Sequence, residues 1–251
     1  SLLPRGGIVW IDEPTYNEHR PAWEAAGHQV ITGDANLGKA QSAVIVAPNN
    51  PTGKFVHDTI MATAKQTAAT GGIMLIDGAF AIPAAADPAA GDLLDALAAF
   101  PHVVHIRSFG KFFGMAGLRL GFAIGAAVHM DQLQRCVGPW AVSSVALDIG
   151  STALNDTEWQ AQHSQFLREQ TEQLQMVLTR ANLKILGGTT LFQTIQTSRA
   201  NHLHDHLAKA AIWTRKFSQM PDLLRFGVPA NAADFTRLSE SLNNWRHKAN
   251  Q

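Results

Sequence analysis

The chain has 251 residues, of which 46% are hydrophobic, and this is enough to bury a sizeable core in one large domain or two smaller ones. Lysine plus arginine and aspartate plus glutamate both number 20, so the formal net charge of zero gives no reason to expect nucleic acid or an acidic membrane as a partner. The single cysteine, Cys136, excludes an internal disulfide, and we expect a cytoplasmic protein because the sequence shows neither a signal-peptide pattern nor the roughly 20 apolar residues of a spanning helix.

The first half of the chain alternates short apolar runs with helical stretches. The apolar runs predict strands at residues 8–11, 28–31, 42–47, 73–76 and 103–106. Helical stretches occupy residues 19–26 and 58–69. This alternation predicts an α/β fold with a mostly parallel sheet and helices on both faces. Binding sites in such sheets lie at the carboxyl ends of strands, where Asp77, Asn50 and Ser108 occur.

The second half has a different rhythm. The spacing of Leu93, Leu94, Leu97 and Phe100 predicts a short amphipathic helix within residues 81–101. A helix over residues 131–137 follows, and Gly138-Pro139 then breaks the chain. A long helical pattern covers residues 147–181, and the remaining predicted elements are strands at 191–195, 212–215 and 223–226 with helices at 202–210 and at the end. We therefore predict a large domain over residues 1–146 and a small α+β domain over residues 147–251.

No metal site is predicted. The 11 histidines are scattered along the sequence. His202, His204 and His206 lie at alternate positions in a polar context, without companion cysteines.

Lys111 lies in the segment of residues 107–122, which is rich in glycine and aromatic residues. Phe109, Phe112 and Phe113 flank it, and desolvation by such neighbours would disfavour the ammonium form and favour a reactive amine. The same segment supplies a hydroxyl from Ser108 and a guanidinium from Arg119, groups that suit a phosphate. The ordinary alternative for Lys111 is an exposed loop lysine.

The pattern Ser-Phe-Gly-Lys followed by Gly-Leu-Arg-Leu-Gly-Phe resembles the cofactor-lysine segment of fold-type I pyridoxal-phosphate (PLP) enzymes in the class I/II aminotransferase group. Three further stretches, at residues 14–19, 47–53 and 75–80, agree with that group in the same order. The resemblance implies a fold-type I PLP-transferase-like α/β fold with a seven-stranded type of sheet. It also implies PLP as cofactor and a homodimer with sites at the subunit interface.

The resemblance assigns roles around the cofactor ring. Lys111 becomes the lysine that binds the PLP aldehyde covalently, and Asp77 the acid that pairs with the pyridine nitrogen. Asn50 would donate a hydrogen bond to the phenolic oxygen of the ring, and Tyr16, the only tyrosine, would stack on the ring face. Taken alone, Asp77 and Asn50 also suit ordinary turns and Tyr16 also suits a half-buried core position.

The resemblance also assigns the groups that bind anions. Ser108 and Arg119 match the anchors of the cofactor phosphate. Arg225 matches the late arginine that binds the substrate carboxylate, a task that suits the planar guanidinium. As a lone residue in a strand, Arg225 could equally be a surface charge.

Softer features resemble the threonine-phosphate decarboxylase branch of the family, and they lie at residues 14–19, 22–28, 187–192, 214–217 and 223–229. This branch implies PLP-dependent decarboxylation of threonine phosphate, a phosphorylated amino acid, to aminopropanol phosphate in cobalamin biosynthesis. The runner-up is an aminotransferase of the histidinol-phosphate type, which is similar in fold. In both cases the substrate carries a phosphate, so Arg215 and Lys216 are candidates for a further anion contact, or an exposed basic pair.

Two departures from the family pattern point to a third alternative. Phe80 stands where the family usually has tyrosine, and Gly78 replaces a common glutamate. Family members also carry a Gly-Thr or Gly-Ser phosphate loop ahead of the position equivalent to Ser1, and we expect this chain to lack it. A non-catalytic fold-type I scaffold is therefore the alternative from another functional class.

Overall fold

The computed structural model describes residues 6–83, 86, 93 and 95–249, except for the side chains of residues 246–249. The chain divides into two compact units. The first contains the residues up to Asn50 together with Lys54–Ala161, and the second contains Pro51–Gly53 and the residues from Gln162 onward. The domain boundary after residue 146 stays a prediction. The short helix predicted within residues 81–101 is confirmed in part, since residues 93 and 95–97 are helical, whereas residues 84–85, 87–92 and 94 lie outside the described residues.

The first unit is built on a six-stranded sheet with the order β2-β1-β3-β4-β5-β6. Its strands are β1 (Ile8–Ile11), β2 (Gln29–Ile31), β3 (Ser42–Val46), β4 (Met74–Asp77), β5 (Val103–Ser108) and β6 (Gly121–Ile124). All neighbours pair in parallel except β5 and β6, which are antiparallel. The mostly parallel sheet is therefore confirmed, although the described residues supply six strands where the resemblance implied seven.

Seven α-helices have both ends within the described residues. They are α1 (His19–Ala25), α2 (His57–Ala69), α3 (Ala127–Val137), α4 (Ser144–Asn155), α5 (Thr157–Arg180), α6 (Ala200–Lys209) and α7 (Ala232–Ala249). None of the helices described is long and apolar enough to span a bilayer.

Each face of the parallel sheet buries its own cluster, because side chains alternate across a strand. On one face, Trp10 and Ile76 pack with Ile60 of α2. On the other face, Val9, Ile11 and Val44 pack with Trp23 of α1. Helices therefore cover both faces, as the sequence predicts.

The second unit is an α+β layer with an antiparallel sheet of order β7-β8-β10-β9. Its strands are β7 (Lys184–Thr189), β8 (Phe192–Gln196), β9 (Arg215–Lys216) and β10 (Leu223–Gly227). The core lies between this sheet and three helices, α5, α6 and α7, which contribute leucines that are at most 3% exposed: Leu174, Leu178, Leu203, Leu207, Leu238 and Leu242. The small α+β domain is confirmed in this form.

Several details of the predicted elements differ from the structure. The strand predicted at residues 212–215 is wrong in its bounds, since β9 contains only Arg215 and Lys216. The single long helix over residues 147–181 is two helices, because the chain leaves helical geometry at Asp156. The Asp156 side chain then accepts a hydrogen bond from the Trp159 backbone amide, at 3.0 Å, and so caps the start of α5. The strands β6 and β7 were not predicted, since Gly121 and the Gly187-Gly188 pair interrupt their apolar patterns.

We expect Leu174→Ala to lower the free energy of unfolding of the second unit by about 2–5 kcal/mol, because Leu174 is fully buried and alanine would leave a cavity. Met176 on the same helix is 52% exposed, and Met176→Ala is the control, with an expected change within about 0.5 kcal/mol. Urea denaturation followed by circular dichroism measures both. Equal losses in the two variants would contradict the assignment of Leu174 to the core.

Candidate active site

The candidate site residues of the first unit follow the carboxyl ends of neighbouring strands. Asp77 is the last residue of β4, and it pairs in register with Val46 of β3 and with Ile106 of β5. The loops after β3, β4 and β5 therefore leave the sheet at the same edge. These loops carry most of the residues that the sequence assigns to the cofactor.

The Asp77 carboxylate is buried, with 7% of the residue exposed, and both of its oxygens are hydrogen-bonded. Oδ2 lies 2.9 Å from Nε2 of His19, and Oδ1 accepts a bond of 2.9 Å from the Ala79 backbone amide. Because an ionised carboxylate only accepts hydrogen bonds, Nε2 of His19 must carry the proton. His19 is a site residue that the sequence analysis missed, although it ends the motif at residues 14–19.

The loop after β1 is tied to the same edge of the sheet. The Tyr16 ring, 41% exposed, meets the His19 ring edge-on with the centroids 5.7 Å apart. The side-chain amide of Asn49 donates to the Pro14 carbonyl at 3.0 Å and so joins the loop after β1 to the loop after β3. Asn50 follows directly and is partly buried. Tyr16 is therefore not fully buried, and its role as a ring that stacks on the cofactor stays a prediction.

Lys111 lies in the turn after β5, and its Nζ is 5.3 Å from the centroid of the Phe80 ring. Lys111 is exposed, whereas Phe109, Phe112 and Phe113 are at most 9% exposed. The expected desolvation of the amine by these three rings is therefore wrong. They pack into the protein interior, and sequence adjacency in a tight turn does not place them around the lysine. Phe80, from the loop after β4, is the aromatic neighbour instead.

Ser108 and Arg119 frame the turn that holds Lys111. The Ser108 oxygen accepts a hydrogen bond of 3.0 Å from the Gly110 amide, which leaves its O–H proton available to an anion. Arg119 adopts a left-handed backbone conformation with φ of 54°, and its exposed guanidinium donates to the Ala116 carbonyl at 3.3 Å. Most of its donors remain available for other acceptors.

Two charged or titratable residues of β5 were also missed. His105 and Arg107 are two residues apart on this strand, so their side chains lie on the same face of the sheet. The sequence pattern assigned neither of them a role. Arg107 donates to the backbone carbonyls of Ala81 and Ile82, at 3.3 and 2.7 Å, and so holds the chain that follows Phe80. A Cβ atom added at Gly78 would overlap Nε2 of His105, which explains why this chain has no glutamate there.

Arg225 belongs to the second unit, in the middle of β10. Its guanidinium lies over the Phe192 ring, 4.9 Å from the centroid, and 6.0 Å from that of Phe217. Burial, and then the charge of Arg215, lower the pKa of Arg225 to about 10. The guanidinium therefore stays charged at neutral pH, and its partial burial argues against an ordinary surface charge.

The donor set of the first unit fits PLP. A buried carboxylate held by His19 suits a protonated pyridine nitrogen, an exposed tyrosine ring offers a flat apolar surface, and an amine lies beside an aromatic residue at the end of the next strand. The hydroxyl of Ser108 and the guanidinium of Arg119 suit a phosphate. The described residues contain no group of three or more histidine, cysteine, aspartate or glutamate side chains that could hold a metal ion.

Comparisons of the sequence point to one family. The family model for aminotransferase class I and II matches residues 1–242. The chain is 37% identical to the threonine-phosphate decarboxylase of Pseudomonas aeruginosa, covering 99% of this chain and 75% of that protein. It is 38% identical to that of Sinorhizobium sp, covering 96% and 72%. A histidinol-phosphate aminotransferase of Oleidesulfovibrio alaskensis is 32% identical, over 63% of this chain and 42% of that protein.

Comparisons of the structure give the same fold. The histidinol-phosphate aminotransferase of Clostridium acetobutylicum matches with a TM-score of 0.87 at 18% identity, covering 97% of this chain and 79% of that one. The enzyme of the same name from Sinorhizobium meliloti, solved with pyridoxal-5'-phosphate, matches with a TM-score of 0.81 at 19% identity, covering 98% and 72%. The L-threonine-O-3-phosphate decarboxylase of Porphyromonas gingivalis matches with a TM-score of 0.77 at 18% identity, covering 97% and 78%.

We expect His105 to make stability depend on pH. Burial, then the charge of Arg107, lower its pKa to about 4, against the attraction of Asp77. The unfolded chain, with a histidine pKa of about 6.5, binds more protons between these values. The contribution of His105 is therefore complete above about pH 6.5 and is lost as the pH falls toward about 4.

Replacing His105 by leucine should remove roughly 2–3 kcal/mol of the change in unfolding free energy between about pH 4 and 7. Urea midpoints over this range measure the change, and His202→Leu, at an exposed position of α6, controls for the loss of a histidine. A His105→Leu profile parallel to that of the unsubstituted protein would contradict the burial of a neutral imidazole.

Proposed function

Since this chain belongs to the class I and II aminotransferase family, we propose that it is a PLP-dependent lyase that decarboxylates L-threonine O-3-phosphate. The observation that carries the proposal is the identity of 37–38% with two threonine-phosphate decarboxylases over 96–99% of the chain. In the reaction the bond between the α-carbon and the carboxylate breaks, carbon dioxide leaves and a proton takes its place. The product is (R)-1-amino-2-propanol O-2-phosphate.

PLP, when bound, supplies a ring that accepts the electron pair of the broken bond. Asp77 keeps a proton on the pyridine nitrogen, and His19 holds that carboxylate in place with its bond of 2.9 Å. Tyr16 covers one ring face, and Asn50 donates to the phenolic oxygen. Lys111 would hold the aldehyde covalently, and its free amine would be the group that moves a proton at the α-carbon.

The remaining assigned residues bind anions. Ser108 and Arg119 hold the cofactor phosphate through charge-assisted bonds, which are the stronger kind. Arg225 would bind the substrate carboxylate, because its planar guanidinium suits a two-point contact with that group. Its charge persists at neutral pH, since burial lowers its pKa only to about 10.

A second candidate function is an aminotransferase of the histidinol-phosphate type. The observations that favour it are the TM-score of 0.87 with such an enzyme and the identity of 32% with another. The same residues would serve it, with Lys111 removing the α-hydrogen in place of carboxylate loss. The sequence coverage of 63% in that relative, against 96–99% in the decarboxylases, places it second.

We further propose that the protein acts as a cytoplasmic homodimer and that its product enters cobalamin biosynthesis. The support is the family resemblance of the motifs around Lys111, together with the absence of an internal disulfide in a chain with one cysteine.

Adding PLP to the purified chain should give a visible absorption band and carbon dioxide release from threonine phosphate without a keto acid. Lys111→Ala should abolish the band and lower the release at least about a hundredfold, because it removes both the covalent bond and a proton carrier. Lys65→Ala, at an exposed position of α2, is the control. A band without release, but with amino transfer once a keto acid is supplied, would favour the aminotransferase. No band would favour a non-catalytic scaffold.

Arg225→Lys should raise KM for threonine phosphate about tenfold and change kcat less, because an ammonium cannot reproduce a two-point contact with a carboxylate. Initial rates over a range of substrate concentrations separate the two constants. The control is Arg237→Lys, at a half-exposed arginine that pairs with Asp234 on α7. An unchanged KM would mean that Arg225 does not bind the substrate carboxylate.

A further inference from the structure

The chain passes between its two units at the Asn-Pro-Thr-Gly motif. Asn50 is the last residue of the first unit at this point, and the next three residues, Pro51–Gly53, belong to the second unit. The chain then returns to the first unit at Lys54. Asn50, the residue proposed to contact the cofactor ring, is therefore covalently joined to a three-residue segment that packs within the other unit.

The segment Pro51–Gly53 is held by one hydrogen bond to a fully buried side chain. The hydroxyl of Thr194, on β8, donates to the Pro51 carbonyl at 2.6 Å. Thr194 is 0% exposed, so no water competes with this bond. A buried carbonyl that has no hydrogen-bond donor raises the free energy of the folded state. The bond from Thr194 therefore favours the observed position of the segment.

Glycines of β7 allow the same segment to lie directly on the strand backbone. A Cβ atom at Gly53 would overlap the carbonyl of Gly188, and one at Gly187 would overlap the Thr52 carbonyl oxygen. Gly53 also has a positive φ of 73°, which disfavours any other residue there. These close contacts leave Pro51–Gly53 no room to shift toward β7.

Thr194 also lies beside the candidate substrate residue. It pairs in register with Gly187 of β7 and with Arg225 of β10. Directly paired residues of antiparallel strands share one face of the sheet. Thr194, which contacts Pro51–Gly53, and Arg225, which is proposed to bind the substrate carboxylate, are therefore neighbours on one face of the small sheet.

We propose that Thr194 is a positioning residue for Asn50, and that its hydroxyl, through Pro51, sets where the Asn50 side chain lies for the cofactor ring. The proposal rests on the proposed function, since it takes Asn50 as a cofactor contact. Thr194 itself acts only through the backbone of the motif.

The test compares Thr194→Val with Thr171→Val. Valine has nearly the shape of threonine but lacks the hydroxyl. The control, Thr171 on α5, is 7% exposed and donates to the Thr190 carbonyl at 2.8 Å, so it loses a similar buried bond in the same unit without touching Pro51–Gly53. Thr194→Ser restores the hydroxyl.

Titration of the full chain with PLP, without substrate, gives the dissociation constant from the visible band. Thr194→Val should raise this constant about three- to tenfold, whereas Thr171→Val and Thr194→Ser should stay within about twofold of the unsubstituted chain. Omitting the substrate keeps Arg225 out of the measurement.

Hydrogen exchange of the backbone amides in residues 47–56 gives a readout that needs no cofactor. Exchange there should be faster in Thr194→Val than in Thr171→Val, and Thr194→Ser should return it to the level of the unsubstituted chain. If the chain binds PLP and releases carbon dioxide, but Thr194→Val behaves like Thr171→Val in both measurements, the role of Thr194 is overturned and the proposed function stands. Failure of the unsubstituted chain to bind PLP would overturn the proposed function, and with it the role of Thr194 toward the cofactor.

Discussion

The buried carboxylate of Asp77 is the constraint on which the arrangement of the first unit depends. A carboxylate at 7% exposure is unfavourable unless its oxygens are hydrogen-bonded, and here His19 and the Ala79 amide satisfy both. His19 begins α1, so this requirement brings the chain after β1 to the end of β4. The same short loop after β1 carries Tyr16, whose ring contacts His19, and Pro14, whose carbonyl accepts a hydrogen bond from Asn49. Parallel pairing of β3, β4 and β5 then places the loops of Asn50 and Lys111 at the same edge.

His105 and Arg107 lie on either side of Ile106, the residue of β5 that pairs with Asp77. Burial lowers the pKa of His105 to about 4, so this residue is neutral at physiological pH. The guanidinium of Arg107 is turned to two backbone carbonyls. Neither His105 nor Arg107 therefore forms an ion pair with Asp77. A protonated ring nitrogen would still suit this carboxylate. Gly78 belongs to the same arrangement, because a side chain there would displace the His105 ring.

Much of the fold follows from the sequence because the strands of a covered parallel sheet are apolar runs with clear ends. Ile8–Ile11 and Met74–Asp77 are of this kind, and the motif residues at their ends are recognisable in the sequence alone. Strands with glycines, such as β7, escaped prediction, since their glycines serve a contact with Pro51–Gly53 that is distant in sequence. The exposure of Lys111 could not be predicted either. Three neighbouring phenylalanines suggested an enclosed amine, but the turn after β5 places them in the core and the lysine outside.

The small sheet of the second unit carries two cations side by side. Arg225 and Arg215 pair directly across β10 and β9, so each raises the electrostatic free energy of the other. The aromatic rings of Phe192 and Phe217 beside Arg225 partly offset this repulsion but also remove water that would screen it. An anion bound at Arg225 would relieve both the repulsion and the loss of hydration. The same repulsion would favour a negatively charged ligand there over an uncharged one of the same size.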